Sequence, residues 1–235
     1  MKRFLSNIWQ DFWFLFYPKI CDACGQSLRQ QETILCTSCL VKLPRTGFHK
    51  DKESELAQVF WGRVPVEHIT SLMHFVKGSK YRKLIHKLKY QNRPDIGVFL
   101  GKELGSELYA SGLYDDVDYI VPVPLHPDRY KTRGYNQAEK IGEGMSEMMK
   151  IQMDAENFYR AVATTTQTKK GRFDRWENVA EVFQINDESL FKNKHILLID
   201  DVITTGATIE ACAQCLLKIE GVKVSIASLG FASAG

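Results

Sequence analysis

The sequence predicts an α/β protein: a mostly parallel sheet flanked by helices and preceded by a small zinc-ribbon-like module. From Val66 onward, short apolar runs alternate with helical patterns, and strands separated by helices imply crossover connections and parallel pairing. One run, "HILLIDDV", ends in adjacent acids and passes through "ITTGAT" into a helical pattern. Such strand-end loops are where open parallel sheets bind ligands. Ahead of these elements, Cys21, Cys24, Cys36 and Cys39 are spaced C-x2-C-x11-C-x2-C.

The 235 residues are 44% hydrophobic and 25% charged, the balance of an ordinary globular protein rather than a disordered chain. A net charge of +3 permits an anionic partner without demanding one, so the distribution of charge matters more than its total.

Four regions follow in order. In residues 1–18, Leu5, Ile8, Trp9, Phe12, Trp13 and Phe16 recur at helical spacing, and the pattern ends before Pro18. Asn7, Gln10 and Asp11 interrupt the apolar run, no small-residue cleavage site follows, and the run falls short of the roughly 20 apolar residues of a membrane span. Two placements fit this amphipathic helix: packing on the main domain, or peripheral contact with a membrane surface. The expected compartment is the cytoplasm, at the inner face of the membrane if the helix docks there.

Residues 19–43 carry the four cysteines. Without a signal peptide, their spacing points to a metal site in a reducing compartment rather than to disulfides. Each C-x2-C pair can set two thiolates on one turn, and the linker can fold the second pair back to complete a tetrahedron. Four thiolates leave no open position, so the expected Zn2+ is structural; an iron–sulfur cluster is the other metal reading. Cys212 and Cys215 are also C-x2-C, but on a helix with Ile209, Leu216 and Ile219 they are expected to face the core.

Residues 44–65 read as a connector with a short helix around 54–59. Residues 66–235 form the main domain. "EHITSLMHFV" is a strand, "KYRKLIHKLKY" a helix, and "DIGVFLGKELGSELYAS" a helix with Asp95 as candidate N-cap. "VDYIVPVP" is a strand, "NQAEKIGEGMSEMMK" a helix with Asn136 as cap, and "NFYRAVAT" a further strand. "RFDRWENVAEVF" is a short helix or ordered loop. "HILLID" is a buried strand, "ATIEACAQCLLKIEG" a helix stopping at Gly221, and "VKVSIASLGF" the last strand.

The acidic pair defines a ligand. Gly206 lets the backbone approach closely, Thr204, Thr205 and Thr208 supply hydroxyls, and a helix start favours a phosphate. Asp200 and Asp201 cannot serve that phosphate, but ribose hydroxyls donate well to carboxylates. A ribose 5-phosphate group satisfies both halves, whereas neither G-x-x-x-x-G-K-[ST] nor a strand-borne G-x-G-x-x-G occurs.

"LLIDDVITTGAT" closely resembles the phosphoribosyl pyrophosphate (PRPP) signature of type I phosphoribosyltransferases. The resemblance implies that Asp200 and Asp201 contact the ribose 2- and 3-hydroxyls. It implies that Thr204, Thr205, Gly206, Ala207 and Thr208 wrap the 5-phosphate, and that Mg2+ rides on the pyrophosphate and ribose oxygens. "VPVPLHPDRYKTRGYNQAEKIG" and "RAVATTTQTKKGRFDRWENVAEVF" resemble the internal signatures of the ComF family, and with the four cysteines the resemblance spans nearly the whole chain. It implies a type I phosphoribosyltransferase-like fold and an association with DNA uptake in natural transformation, alongside other uptake proteins.

In the first of those segments Pro122 and Pro124 stiffen a strand end before Arg129, Lys131 and Arg133, a set that suits a pyrophosphate or forms a solvated basic turn. In the second, Gln167, Arg172 and Arg175 belong to a basic loop at the chain position of the family's mobile loop, which closes over the reacting centre and excludes water. Neither segment carries an obvious general base, so PRPP binding without turnover and transfer to an unidentified acceptor both remain open. Finally, "KGSKYRKLIHKLKYQNR" holds Lys80, Arg82, Lys83, Lys87 and Lys89 with no acid and interleaved Tyr81, His86 and Tyr90. It reads as a solvated helix face or as a surface for single-stranded DNA, cations tracking phosphates and rings stacking on bases.

Overall fold

A computed structural model describes residues 18–161 and 182–232. The expected N-terminal helix and the loop carrying Gln167, Arg172 and Arg175 lie outside the described residues. Strands β1 (Ile69–His74), β2 (Tyr119–Pro122), β3 (Gln152–Met153), β6 (His195–Ile203) and β7 (Lys223–Phe231) form one parallel sheet in the order β1-β7-β6-β2-β3. Strands β4 (Phe158–Arg160) and β5 (Phe183–Ile185) pair antiparallel beside it. The long partners are nearly continuous apolar runs: Ile196 to Ile199 and Val224 to Phe231 are all buried, as a sheet covered on both faces requires.

Helices α1 (Thr37–Val41), α3 (Arg82–Tyr90), α4 (Pro94–Ser111) and α6 (Gln137–Met149) belong with the cysteine module to one face. Helices α2 (Glu55–Phe60) and α7 (Ala207–Leu216), with β4 and β5, cover the other, and α5 (Pro127–Arg133) follows β2. Helices α4 and α6 touch backbone to backbone: a Cβ on Gly101 would stand 2.1 Å from the Ile141 carbonyl oxygen, and one on Gly144 2.1 Å from that of Val98. That closeness fixes α6 against the sheet and, through Asn136 at its start, the end of β2. The Asn136 side chain accepts from the Ala138 amide and donates to the Val123 carbonyl.

Three local expectations need correction. Asp95 is not the cap of α4: the helix begins at Pro94 with Arg93 before it, and Asp95 lies in the first turn. Proline needs no amide partner at a helix start, and a carboxylate there meets the positive end of the dipole. The segment after β2 is helix α5 rather than a turn, started by Pro127 and by the His126 ring, which accepts from the Asp128 amide at 3.2 Å. Helix α7 ends at Leu216, and tight turns carry the chain on to Gly221, whose φ is 72°. Among the described residues, no helix is long and apolar enough to cross a membrane.

Candidate functional site

The four cysteine sulfurs lie within 4.8 Å of one another, with Cys24 and Cys36 Sγ 3.8 Å apart. A tetrahedron of Zn–S bonds has edges of about 3.8 Å, so the set fits a closed four-thiolate zinc site. Burial acts to raise the Cys21 thiol, but amides of Cys24, Cys36 and Ala23 outweigh it and leave the thiol lowered to about 7. Lys80 Nζ stands 3.1 Å from Cys39 Sγ, a cation placed against the excess negative charge of four thiolates.

Across the molecule, β6 delivers Asp200 and Asp201 at its carboxyl end, in the middle of the sheet. Thr204 and Thr205 follow, exposed, and Gly206 starts α7 with φ 76°. Only glycine adopts this left-handed geometry without strain, and a second constraint is steric, since a Cβ there would meet Phe60 Cζ at 2.6 Å. Gly206 itself offers no capping side chain; the Thr205 hydroxyl accepts from the Ala207 amide at a long 3.5 Å, and Ala207 and Thr208 are exposed. Arg63 secures the loop from behind: its guanidinium donates to the Thr205 carbonyl at 3.0 Å and pairs with Glu210.

The acidic pair is under electrostatic load. Asp201 is nine-tenths buried, and its amide donates to Asp200 Oδ1 at 2.7 Å. Burial, then the Asp201 charge, pushes the Asp200 carboxyl up to about 7. One cation answers the two acids: Lys89 Nζ is 2.8 Å from Asp201 Oδ1. Helix α3 thus lies across the site. The basic stretch is divided as a result. Arg82 and Lys83 are exposed, whereas Lys80 meets Cys39, Lys87 pairs with Asp22 at 2.7 Å and Lys89 pairs with Asp201. Lys87 and Lys89 are therefore not the free outward cations that helical periodicity suggests.

Arg129 and Arg133 stand one turn apart on α5. Arg129 is exposed, while Arg133 donates to Gln137 at 2.6 Å and covers the Tyr90 ring at 5.4 Å. Arg160, on β4, joins this region: burial and then the Arg129 charge lower its pKa, and its buried Nε has no partner among the described residues. The Arg160 guanidinium also lies over the Phe183 ring, 5.5 Å from its centroid. Cys212 is fully buried and Cys215 partly so, both consistent with packing. At the other end of the sheet, His195 lies between Ser225 Oγ (2.8 Å) and Asp116 Oδ2 (3.0 Å). Ser225 and His195 are buried while the Asp116 side chain is 62% exposed, so the trio ties the start of β6 to a surface acid.

Two contributors escape a reading of motifs: Phe60 and Arg63 from the connector. Their sequence signals are weak because each reaches the site from a distant segment. Lys89 and His86 stood out in the sequence as part of a basic, aromatic stretch, but their place beside Asp201 and Thr204 comes from the fold.

Comparison with known proteins agrees with this geometry. Residues 97–234 match the Phosphoribosyl transferase domain family. The chain is 33% identical over 225 residues to Competence protein ComFC of Bacillus subtilis, covering 92% of this chain and 85% of that protein. It is 30% identical over 203 residues to DNA utilization protein YhgH of Escherichia coli, covering 85% and 84%. Competence protein F of Haemophilus influenzae is 32% identical over 140 residues, covering 58% and 61%. Carrying its own four-cysteine cluster ahead of the matched domain, the chain belongs to the phosphoribosyl transferase domain family and, within it, to the ComF-type proteins.

Proposed function

We propose that the β6–α7 site binds PRPP with Mg2+ and that the protein serves DNA uptake in the cytoplasm, taking single-stranded DNA on the basic side of α3. The observation that carries the reading is the pairing of the Asp200–Asp201 carboxylates with the exposed threonine turn and helix start at Gly206, one charge pattern for hydroxyls and the other for a phosphate. Ribose hydroxyls go to the aspartates and the 5-phosphate to residues 204–208. The pyrophosphate, with the Mg2+ it brings, goes toward Arg129, Arg133 and Arg160. Mg2+ keeps most of its coordination on ligand oxygens and water rather than on a protein cage. The names of the relatives support the DNA role, and uptake-machinery proteins are its expected partners.

A second reading is an active transferase that passes ribose 5-phosphate to a nucleobase or amine. His86 favours it, since its ring lines the same cavity as Thr204 and an imidazole there can accept a proton.

Calorimetric titration with PRPP and Mg2+ tests the binding reading. Wild-type protein should bind, and Asp200→Asn combined with Asp201→Asn should abolish the heat; unchanged affinity in that variant refutes the assignment. Pyrophosphate release with candidate acceptors separates turnover from binding alone. Binding of single strands should weaken with salt at roughly 0.7 log units per phosphate contact, and a flat slope would refute the DNA surface.

A further inference from the structure

Between α3 and the loop after β6 lies a cavity of about 710 Å3. It shares Val202 and Thr204 with that loop, and Lys89, Tyr90, His86 and Phe75 line it from α3 and the end of β1. None of its lining residues is acidic. The acid that could spoil this balance, Asp201, is paired with Lys89. The rings are braced: His86 and Tyr90 centroids are 5.0 Å apart, the Arg133 guanidinium sits 5.4 Å over Tyr90, and that of Arg82 sits 5.1 Å over Phe75. Cations with aromatic faces, in a pocket of small-molecule size, form the chemistry that recognises one phosphate joined to one flat base.

We propose that this cavity holds a single nucleotide unit and that Lys89 passes from Asp201 to the nucleotide's phosphate when the unit enters. The proposal rests on the reading of the neighbouring site as a PRPP site, and it couples the two ligands. In the free chain, Lys89 Nζ occupies Asp201 Oδ1 at 2.8 Å, an acceptor that a ribose hydroxyl would use. A phosphate in the cavity offers the ammonium a stronger partner on the same side of α3. Lysine suits such an exchange, being a compact charge on a flexible stem with no bidentate geometry to reset. Release of Asp201 then restores both carboxylates to the sugar. Nucleotide occupancy strengthens PRPP binding, and by linkage PRPP strengthens nucleotide binding by the same factor.

The experiment titrates the full chain with PRPP and Mg2+ alone, with saturating thymidine monophosphate, with an oligothymidylate, and with inorganic phosphate. PRPP affinity is expected to rise about fivefold or more with a nucleotide ligand, the range of measured couplings between sites. A rise with the monophosphate identifies the free nucleotide as sufficient, and a rise with the oligomer alone assigns the site to a strand. An equal rise with inorganic phosphate overturns the nucleotide assignment. In Lys89→Gln, PRPP should bind more tightly than to wild type without nucleotide, and added nucleotide should change nothing further. Weaker PRPP binding in Lys89→Gln, or an undiminished nucleotide effect, overturns the exchange. If wild type binds no PRPP at all, the underlying reading fails. The cavity is then judged on nucleotide binding alone, which Lys89→Gln must weaken about fivefold.

Discussion

Helix α3 carries two lysines two positions apart, and each pairs with an aspartate from a different region: Lys87 with Asp22 at 2.7 Å, Lys89 with Asp201 at 2.8 Å. Residues two apart point to different sides of a helix, so α3 reaches the cysteine module with one side chain and the β6 site with the other. The charge balance differs. Asp22, 5% exposed, receives Lys87 and both terminal nitrogens of Arg93, each at 2.9 Å. It is one carboxylate held by two cations, with Arg93 shared with Asp95 at 2.8 Å, so charges balance two against two. At β6, two carboxylates share one ammonium. The first arrangement is saturated and acts as a joint. The second, among the described residues, is short of positive charge, the setting in which the proposed metal-bearing ligand rich in hydroxyl groups would sit. The same ion-pair chemistry thus makes scaffold in one place and a ligand site in the other, decided by the count of charges around it.

The comparison is broken most severely by removing the metal. Structural zinc in small four-ligand modules contributes on the order of 10 kcal/mol of apparent folding energy, so chelation in reducing buffer should unfold residues 19–43. Helix α3 should loosen with them, because Lys80 and the Tyr81 hydroxyl both bond to Cys39 and Lys87 bonds to Asp22. Hydrogen exchange read by mass spectrometry should show lost protection in the module and across 80–93, with β6 and β7 retained. Protection of α3 that survives chelation would mean that the joint carries no load.

Asp22→Asn breaks the joint alone. It leaves Lys87 and Arg93 facing a neutral amide in a part-buried setting. Removing one partner of a fully buried pair costs about 3–5 kcal/mol, but these side chains are 23% and 34% exposed. A loss of about 2 kcal/mol in urea unfolding is therefore expected after solvent screening, with PRPP affinity changed little. A loss below about 0.5 kcal/mol would place Asp22 among ordinary surface pairs.

Much of this frame was legible in the sequence because its signals are local. A C-x2-C pair sets two thiolates on one turn, and "HILLIDDVITTGAT" states strand, acids, loop and helix start in consecutive residues. Alternating apolar runs gave the sheet. The pairing of α3 was not legible, because helical periodicity separates buried from outward positions and cannot say which acid an outward lysine meets. Asp22 lies 65 residues from Lys87, and only the folded chain brings them together. Phe60 and Arg63 are hidden for the same reason, as connector residues whose value comes from packing under Gly206. The helix after β2 was hidden too, since "LHPDRYKTRG" fits a basic turn as well as the helix that Pro127 starts.

The smallest effect sharpens the other half of the comparison. Burial and the neighbouring Asp201 push Asp200 up to about 7 from an ordinary carboxyl value of 3.8. Below about pH 4 the folded and unfolded chains both hold this proton, and no penalty is felt. As pH rises from about 4 to about 7 the unfolded chain ionises first, so this group's contribution to stability declines through that window. Asp200→Asn removes the titration. It should stabilise the ligand-free protein by roughly 1–2 kcal/mol at pH 8, because solvent reaching the site screens part of the repulsion, and by nothing below about pH 4. In the wild type, a ligand whose hydroxyl groups need both carboxylates ionised should bind more tightly as pH rises through about 7, releasing a proton as it does so. Urea unfolding of both proteins at several pH values reads the stability difference directly. A difference that stays constant with pH would show that the two carboxylates do not repel, and that Lys89 alone already balances them.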